Sequence, residues 1–349
     1  MTDQATVLQV LRSVKYPGYS RDIVSFGIVK EIQVDSTAVG VLIELTTPNA
    51  SVGEEIADAA RRALRDQIPG LTDAHVQVRV PQGSGSGAPA PGGAGSRAKV
   101  AGIERIIAVA SGKGGVGKST CAVNLACALR HLGGRVGLMD ADIYGPSVPL
   151  MMGLQDKPFV NDREQLIPPY AHGVKLMSMG FLIPDDQPVI WRGPMIQKTI
   201  QQFIHQVEWG ALDYLLVDLP PGTGDAQLSL CQTVPLDGGV VVTTPQAASV
   251  GVVRKGIAML EKVQVPLLGI IENMSGFVAP DGSRVDIFGT GGGRAEAERR
   301  GIPLLGEIPL IPGIREGGDR GIPVVVADPT GTAGAAFIAA AQRLQSRLG

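Results

Sequence analysis

The chain has few cysteines, little net charge and no long apolar run, and each shortage excludes a class of function. Three cysteines in 349 residues do not form a disulfide framework, which favours a reducing compartment. A formal net charge of −2 gives no electrostatic basis for binding nucleic acid or an anionic membrane. No apolar run reaches the length of a membrane span, and Met1–Gln4 lacks the basic start of a signal peptide. We therefore expect a cytoplasmic protein with no nucleic-acid and no membrane partner.

A segment rich in glycine, proline, serine and alanine divides the sequence. It occupies residues 81–100, cannot bury a core, and spans on average roughly 20–25 Å, which predicts a flexible linker. Residues 1–80 are predicted to form a small α+β domain, in which no catalytic constellation is present. Its elements are predicted as a helix at Val7–Val14, strands at Val24–Val34 and Ala38–Leu45, a helix at Val52–Ile68 and a strand at Ala74–Val80.

Residues 101–349 alternate between apolar strands and helical patterns, which is typical of an α/β domain. Strands that are apolar almost throughout predict a mostly parallel sheet with helices on both faces. In such sheets the ligand site lies in the loops at the carboxyl ends of the strands. The predicted strands are Ile106–Ala110, Arg135–Met139, Val174–Met177, Tyr214–Val217, Gly239–Thr243, Leu267–Ile271 and Leu304–Glu307.

The run Ser111–Thr120 is a glycine-rich loop between a predicted strand and a predicted helix, Cys121–His131. A phosphate-binding P-loop requires this context. Its glycines let backbone N–H groups converge on a polyphosphate, and the helix dipole adds to the attraction. Lys118 is expected to act in catalysis at the β- and γ-phosphates, and the Ser119 hydroxyl to ligate Mg²⁺. The predicted nucleotide-binding residues of this loop are Gly112, Lys113, Gly114, Gly115, Val116, Gly117, Lys118, Ser119 and Thr120.

Aspartates that end two further predicted strands indicate where the metal and an attacking water would lie. Asp218 follows Tyr214–Val217 as the Walker B acid does in P-loop proteins, and is expected to hold Mg²⁺. Gly222, in the next loop, is expected to offer its N–H to a γ-phosphate. Of Asp140 and Asp142, one is expected to face the water shell of the metal and the other to orient an attacking water. The alternative for each segment is an ordinary turn.

Several blocks of the sequence together resemble one family of ATPases. Lys113, directly after the first glycine of the loop, is similar to the lysine of the deviant Walker A motif. That motif occurs in dimeric ATPases that include cell-division positioning proteins and the nitrogenase iron protein. Further blocks resemble the Mrp (ApbC) branch, the ATP-dependent iron–sulfur cluster carriers, and residues 1–80 resemble its MIP18-like domain. These blocks are Asp140–Pro149, Trp191–Met195, Asp213–Asp225 and Glu272–Ser275.

The resemblance implies that ATP and Mg²⁺ are bound by a homodimer. Lys113 would contact phosphates across the dimer and act in catalysis, and Asp142 would position the hydrolytic water. Asp218 would serve the Mg²⁺, with Asp140 acting on the ion through its water. Asn273, at the end of a predicted strand, would hydrogen-bond the purine base, although an asparagine at such a position is otherwise a turn former.

The cysteine pair that binds the cluster in this family is missing. The pair follows the Asn-Met-Ser block, where this chain has Ala279 and Gly282, and the Pro-Asp-Gly sequence predicts a plain hairpin there. Iron–sulfur clusters need thiolate ligands. Cys121 and Cys127 lie roughly 120° apart on one predicted helix and are expected to be core residues. A bound cluster, of the 4Fe–4S type if one is present, would need other ligands. These could come from Cys231, which is a weak candidate, from an exogenous thiol or from a partner protein.

Two functions follow from these observations. The first is an ATP-hydrolysing homodimer that carries iron–sulfur clusters to apoproteins or assembly factors. The second is a nucleotide-switched positioning or scaffolding ATPase that has no cluster of its own. The Trp191–Met195 block and the N-terminal domain favour the first function, and the missing cysteine pair favours the second.

Overall fold

The chain divides into two units, residues 1–94 and 95–349, and each is built on one main sheet. The second unit also has a small two-stranded sheet, in which Phe159–Val160 pairs with Leu166–Ile167. The structure is a computed structural model and describes residues 4–17, 22–34, 38–45, 50–69, 71, 73–79, 99–143, 145–182, 193–279 and 283–349. Most of the predicted linker, the Trp191-Arg192 pair and Gly282 lie outside the described residues. The limits of the linker therefore stay a prediction. Among the described helices, none is long and apolar enough to cross a membrane.

The N-terminal unit packs two helices against a three-stranded sheet. Its elements are α1 Gln4–Leu11, β1 Val29–Val34, β2 Ala38–Glu44, α2 Ala50–Gln67 and β3 Asp73–Arg79. Strand β2 pairs antiparallel with β1 and parallel with β3, so α2 is the crossover of a βαβ unit. Alternate residues of β2, namely Val39, Val41 and Ile43, are buried in the core with Ile56 and Leu64 of α2.

The predicted strand Val24–Val34 is wrong in its first part, because the strand begins only at Val29. The Asp22 carboxylate accepts hydrogen bonds from the backbone N–H and the hydroxyl of Ser25, at 2.8 and 2.7 Å. An aspartate that binds its own following backbone favours a turn over an extended strand. Gly27, with a φ of 71°, completes the turn.

The C-terminal unit contains all seven predicted strands and several short ones. Its elements are β4 Ile103–Ser111, α3 Lys118–His131, β5 Val136–Asp140, α4 Val148–Met151, β6 Phe159–Val160, β7 Leu166–Ile167, β8 Tyr170–Ala171, β9 Val174–Ser178, a 3₁₀ turn at Met179–Leu182, α5 Gly193–His205, β10 Leu212–Asp218, α6 Asp225–Thr233, β11 Gly238–Thr243, α7 Ala247–Lys262, β12 Leu267–Val278, β13 Arg284–Val285, α8 Gly292–Arg300, β14 Leu304–Leu310, α9 Pro312–Asp319, α10 Val324–Ala327 and α11 Thr332–Leu348.

The central sheet of this unit is mostly parallel, as the apolar strands predict. Its order is β13-β12-β11-β4-β10-β5-β9-β8, and β14 also pairs with β12. Among the described strands of this sheet, only β8 and β13 run antiparallel to their neighbours. The chain goes from β4 through α3 to β5, which lies two strands away, and later returns to place β11 on the other side of β4. The carboxyl end of β4 is thus a topological switch point, where ligands of such sheets bind.

Helices cover both faces of the sheet, because successive residues of its strands are apolar on both sides. In β4, Ile106 and Ala108 belong to the core beneath α5, α6 and α7, and Ile107 and Val109 belong to the core beneath α3 and α11. This double burial explains why the strand residues are almost all apolar. It also fixes the backbone of the loops at the carboxyl edge.

Candidate nucleotide site

The P-loop connects β4 to α3 and is fitted closely against two other segments. A Cβ atom at Gly112 would lie 2.6 Å from the backbone carbon and oxygen of Val252 in α7. Gly117 has a φ of 78°, in the left-handed region, and a side chain there would collide with the amide of Asn273. These two glycines are therefore required by the fold. Their positions leave the N-terminus of α3, which begins at Lys118, at the switch point.

Lys118, Ser119 and Asp218 form one hydrogen-bonded group under the loop. The Lys118 ammonium donates to one oxygen of Asp218 at 2.7 Å, and the Ser119 hydroxyl donates to the other at 2.6 Å. The side chains of Lys118 and Asp218 are only 5% and 0% exposed. Burial raises the pKa of Asp218, and the adjacent Lys118 opposes this rise. Sequence reasoning brings these three residues together, and the structure places them in direct contact.

Asp140 continues this polar group onto the next strands. Asp218, Asp140 and Ser178 are register partners at the carboxyl ends of β10, β5 and β9. The Ser178 hydroxyl donates to Asp140 at 2.9 Å, and the backbone N–H of Asp142 donates to its other oxygen at 3.1 Å. Burial, followed by the nearby charge of Asp218, raises the pKa of Asp140 to about 7. Ser178 is a member of the site that the motifs miss, although it directly follows the predicted strand Val174–Met177 at the same edge.

The remaining predicted residues of the phosphate end lie around this group. The carboxylate of Asp142 is buried and accepts a hydrogen bond from the backbone N–H of Gly145 at 3.3 Å. Gly222, with a φ of 101°, donates its N–H to the carbonyl of Ser111 at 3.3 Å, so the Walker B loop contacts the start of the P-loop. The Lys113 side chain is half-buried, and the loop holds its carbonyl through the hydroxyl of Ser111 at 3.0 Å.

Asn273 lies on the other side of the P-loop. Its amide nitrogen donates to the carbonyl of Val116 at 2.9 Å, which ties the end of β12 to the loop. Beside it is a cavity of about 230 Å³, whose lining is largely apolar and belongs to segments far apart in the sequence. Lining residues include Gly117, Thr120, Met151, Met274, Leu310, Ile311 and Ile314. The motifs miss the last three of these, although they follow the predicted strand Leu304–Glu307 at the carboxyl edge.

The described residues contain no group of three or more His, Cys, Asp or Glu side chains placed to hold a metal ion. The fit to Mg²⁺ therefore depends on the oxygens of Ser119 and Asp218, since Mg²⁺ takes few protein ligands alongside water and phosphate oxygens. Hard oxygen donors suit this ion, and a cation would favour the charged form of the two buried aspartates. The residues present fit Mg²⁺.

All three cysteines are buried in the apolar cores. Cys121 and Cys127 lie in the core under α3, as predicted, and Cys231 lies in the opposite core under α6. Burial raises the pKa of the Cys121 thiol and raises that of Cys127 to about 12. Because thiolates are the ligand form, these two thiols are poorly suited to iron. Cys231 is 0% exposed, and this burial counts against it as a ligand shared between subunits.

Ala279, at the first of the family's two cysteine positions, follows β12 at a hairpin. Strands β12 and β13 pair antiparallel through Phe277 and Val285, and Ala279 donates its N–H to the carbonyl of Ser283 at 2.8 Å. Residues 280–282, which include Gly282, lie outside the described residues. The described stem agrees with the predicted hairpin.

A lysine, a hydroxyl and a carboxylate meet beneath a glycine-rich loop at the switch point of a parallel sheet, beside an apolar cavity. This arrangement places the chain among the nucleotide-binding P-loop NTPases. A family model described as "NUBPL iron-transfer P-loop NTPase" matches residues 102–345, and the chain belongs to that family. A second model, described as "Iron-sulfur cluster assembly protein", matches residues 4–78. The resemblance predicted from the sequence blocks is confirmed.

Individual proteins agree with this assignment. An iron–sulfur cluster carrier protein of Synechocystis sp. is 44% identical, over 98% of this chain and 97% of its own length. The mitochondrial iron–sulfur protein required for NADH dehydrogenase of Arabidopsis thaliana is 50% identical, over 71% of this chain and 80% of its own. A nucleotide-binding protein from Archaeoglobus fulgidus, solved in complex with ADP, is 40% identical, with a TM-score of 0.59 over 67% of this chain and 92% of that chain.

The fold itself is more widely shared. The cell division ATPase MinD of Pyrococcus furiosus has a TM-score of 0.55 at 24% identity, over 69% of this chain and 98% of its own. The predicted α/β class, a mostly parallel sheet covered on both faces with a small N-terminal domain, is confirmed.

Proposed function

We propose that this chain is a Mg²⁺-dependent ATPase that acts as a homodimer and carries iron–sulfur clusters to apoproteins. The contact of Lys118 and Ser119 with Asp218, at the switch point of the sheet, carries the ATPase part of this proposal. The names of the relatives support the carrier part. Both domains of the chain match iron–sulfur family models, so the carrier function does not depend on the ATPase domain alone.

The buried ion pair suggests how ATP would engage the loop. Lys118 would exchange the carboxylate of Asp218 for the β- and γ-phosphates, since its Nζ lies at the start of α3 where phosphates bind. Ser119 and Asp218 would hold Mg²⁺, with Asp140 orienting water on the ion. The ion would supply positive charge to the phosphates. Asp142 would orient the attacking water, and Lys113 would add charge from the second subunit.

The largely apolar cavity beside Asn273, whose lining also includes the ion pair of Arg315 with Asp319, fits a purine base. The amide nitrogen of Asn273 donates to the carbonyl of Val116. The amide oxygen of Asn273 would therefore accept a hydrogen bond from the exocyclic amino group of adenine. Met274, Leu310 and Ile311 would cover the faces of the ring. A pocket of this kind gives affinity by burying an apolar ring and specificity by a small number of polar atoms.

The cluster is the cargo, and we propose that the isolated chain holds it weakly. Ala279 stands where the family has a ligand, and all three cysteines are buried. A complete set of thiolates would then require an exogenous thiol or a partner protein. The same observation supports a second candidate, a nucleotide-switched scaffolding ATPase that recruits iron–sulfur proteins without a cluster of its own.

One experiment separates the two candidates. The full chain is incubated anaerobically with iron, sulfide and a small thiol, then mixed with an apoprotein that accepts a 4Fe–4S cluster, with and without ATP. Cluster appearance in the acceptor that is faster than from the reagents alone supports the carrier. ATP hydrolysis without any acceleration of cluster delivery supports the scaffold. Absence of ATP hydrolysis contradicts both.

A further inference from the structure

A second buried carboxylate, Glu272, lies next to Asn273 but outside the phosphate group. It is the last residue of β12 that pairs with β11, and it is 0% exposed. Its oxygens accept three hydrogen bonds, from the hydroxyl of Ser275 at 2.7 Å, the N–H of Gly291 at 3.0 Å and the N–H of Gly293. A buried carboxylate needs such donors, because desolvation of the charge is otherwise very costly.

The donors come from both sides of the hairpin. Ser275 lies in β12, before the residues that pair with β13, whereas Gly291 and Gly293 follow the hairpin at the start of α8. The carboxylate therefore joins Ser275, on one side of the hairpin, to Gly291 and Gly293 on the other side. The N-terminus of α8 stabilises a negative charge placed there. A Cβ atom at Gly293 would lie 3.1 Å from the Cβ of Glu272, so the approach of α8 leaves little room for a side chain.

The residues that directly follow Glu272, at an irregularity in the pairing of β12, enter the proposed base pocket. Asn273 holds the P-loop through Val116, and Met274 lines the cavity. Met274 has a φ of 59°, a strained conformation that persists only where the surroundings fix it. Further along β12, Phe277 pairs with Leu310, which also lines the cavity. The base pocket and the stem of the hairpin thus share one backbone segment.

We propose that Glu272 is a positioning residue that holds residues 273–275 of β12 and the described stem of the hairpin in one arrangement. Filling the base pocket then stabilises the described stem of the hairpin, and loss of the Glu272 contacts uncouples the pocket from the stem. This inference rests on the proposed binding of ATP. It assigns to the hairpin, which stands where the family has cluster ligands, a response to the nucleotide that needs no cysteine.

Glu296 provides a matched control. Its carboxylate is 1% exposed and also lies on α8, but its partners are the guanidinium groups of Arg254, Arg299 and Arg300. These arginines hold the pKa of Glu296 at about 2. Glu296 does not line the cavity and does not contact residues 273–275 in any described hydrogen bond. Its substitution tests whether any loss of a buried glutamate near α8 has the same effect.

The test compares Glu272→Gln with Glu296→Gln in the full chain. Glutamine keeps one acceptor oxygen, removes the negative charge and turns its N–H₂ group toward at least one of the donors, so the clamp is weakened with little change in volume. Dissociation constants are measured for ATP and for inorganic tripolyphosphate, which has no base. For Glu272→Gln we expect ATP binding to weaken about tenfold and tripolyphosphate binding to change less than about twofold. Glu296→Gln should leave the ratio of the two constants unchanged.

Amide hydrogen exchange gives a second readout. In the wild type, ATP should slow the exchange of the described residues 276–279 and 283–291. In Glu272→Gln this exchange should be about tenfold faster and insensitive to ATP. Should Glu272→Gln fail to fold, Ser275→Ala removes a single donor, and a smaller effect of the same sign is expected.

Wild-type affinity ratios and exchange rates in Glu272→Gln would overturn the proposal, as would equal effects in Glu296→Gln. If the wild type binds tripolyphosphate and ATP equally, the proposed ATP function fails. Exchange without nucleotide then decides the clamp by itself: unchanged rates in Glu272→Gln overturn it, and faster rates support it.

Discussion

The phosphate end and the base end of the site are built in opposite ways. At the phosphate end, charged side chains at the start of α3 and at the carboxyl ends of neighbouring strands are buried, as in the contact of Lys118 with Asp218. At the base end, the lining is largely apolar and comes from α3, α4, β12, β14 and α9. The first end depends on residue type within short motifs. The second end depends on how distant segments pack, so the two ends should fail differently when they are mutated.

The largest effect is expected at the phosphate end, from Lys118→Ala. ATP hydrolysis should fall by about 1,000-fold or more, because positive charge at the phosphates is lost in the transition state. The variant also leaves the Asp218 carboxylate buried without its cation, so the free energy of unfolding should fall by about 3 kcal/mol. Measured rates and urea unfolding check both effects.

The double variant Lys118→Ala, Asp218→Asn serves as control for folding. It should recover much of the lost stability, since no buried charge remains, but no activity. Lys175→Ala, which removes a lysine bonded to the carbonyl of Trp209, should hydrolyse ATP normally. Turnover of Lys118→Ala at the wild-type rate would remove the P-loop assignment.

Lys113→Ala tests whether the phosphate end is completed by a second subunit. Hydrolysis should fall by about 100-fold or more, because a charge that stabilises the transition state is removed. An equal mixture of Lys113→Ala and Lys118→Ala subunits should regain up to about a quarter of the wild-type rate, since half the dimers hold one intact site. No regain in the mixture, or normal turnover of Lys113→Ala alone, would contradict a lysine acting across the dimer.

Asn273→Ala probes the base end and should have a smaller effect. We expect ATP affinity to fall about tenfold relative to tripolyphosphate, through loss of one hydrogen bond to the base and the tie to Val116. Asn124→Ala is the matched control, because Asn124 is an equally buried amide bonded to the backbone of Thr120 and Val325. If both variants lose the same affinity for both ligands, the base end is not where we place it.

The smallest effect is expected at the cysteines. After anaerobic reconstitution, the isolated wild type should hold well under one cluster per dimer, because the family's ligand pair is absent and thiolates are needed. Cys231→Ala should lower the cluster content further only if the core around Cys231 opens and exposes the thiol. Iron and sulfide counts check this. A tight, stoichiometric cluster in the wild type would contradict weak binding, and one unaffected by Cys231→Ala would remove that residue as a ligand.

Residue type decides how much of the site the sequence can predict. Lys118, Ser119 and Asp218 are predictable because few side chains do their chemistry, and because strand ends meet at one edge of a parallel sheet. Leu310 and Ile311 are not predictable as pocket residues, since an apolar residue after a strand is as common in a core as in a pocket. Ser178 depends on the register between β5 and β9, which the sequence does not state.

The fold is predicted well where strands are buried on both faces and less well where polar side chains compete. The seven strands of the large domain are found because their apolar runs have no other interpretation between helices. The start of β1 is missed because Asp22 binds Ser25 and turns the chain. In the sequence, Glu272 has no assigned role beyond its place in the Glu272–Ser275 block. Its role as a clamp emerges from Gly291 and Gly293, which are distant along the chain.

Because Gly112 fits closely against α7, substitutions of the different P-loop glycines should differ in their effect on folding. Alanine at 112 meets rigid backbone, so the protein should lose folding yield, whereas a Cβ at Gly114 finds its nearest neighbour in the Pro221 side chain at an ordinary 3.9 Å. Gly114→Ala should thus keep the melting temperature of the wild type. Any loss of ATP binding in that variant would show that the phosphates approach the backbone at Gly114 too closely to leave room for a methyl group. A deep mutational scan would therefore separate demands of architecture from demands of the ligand, one position at a time.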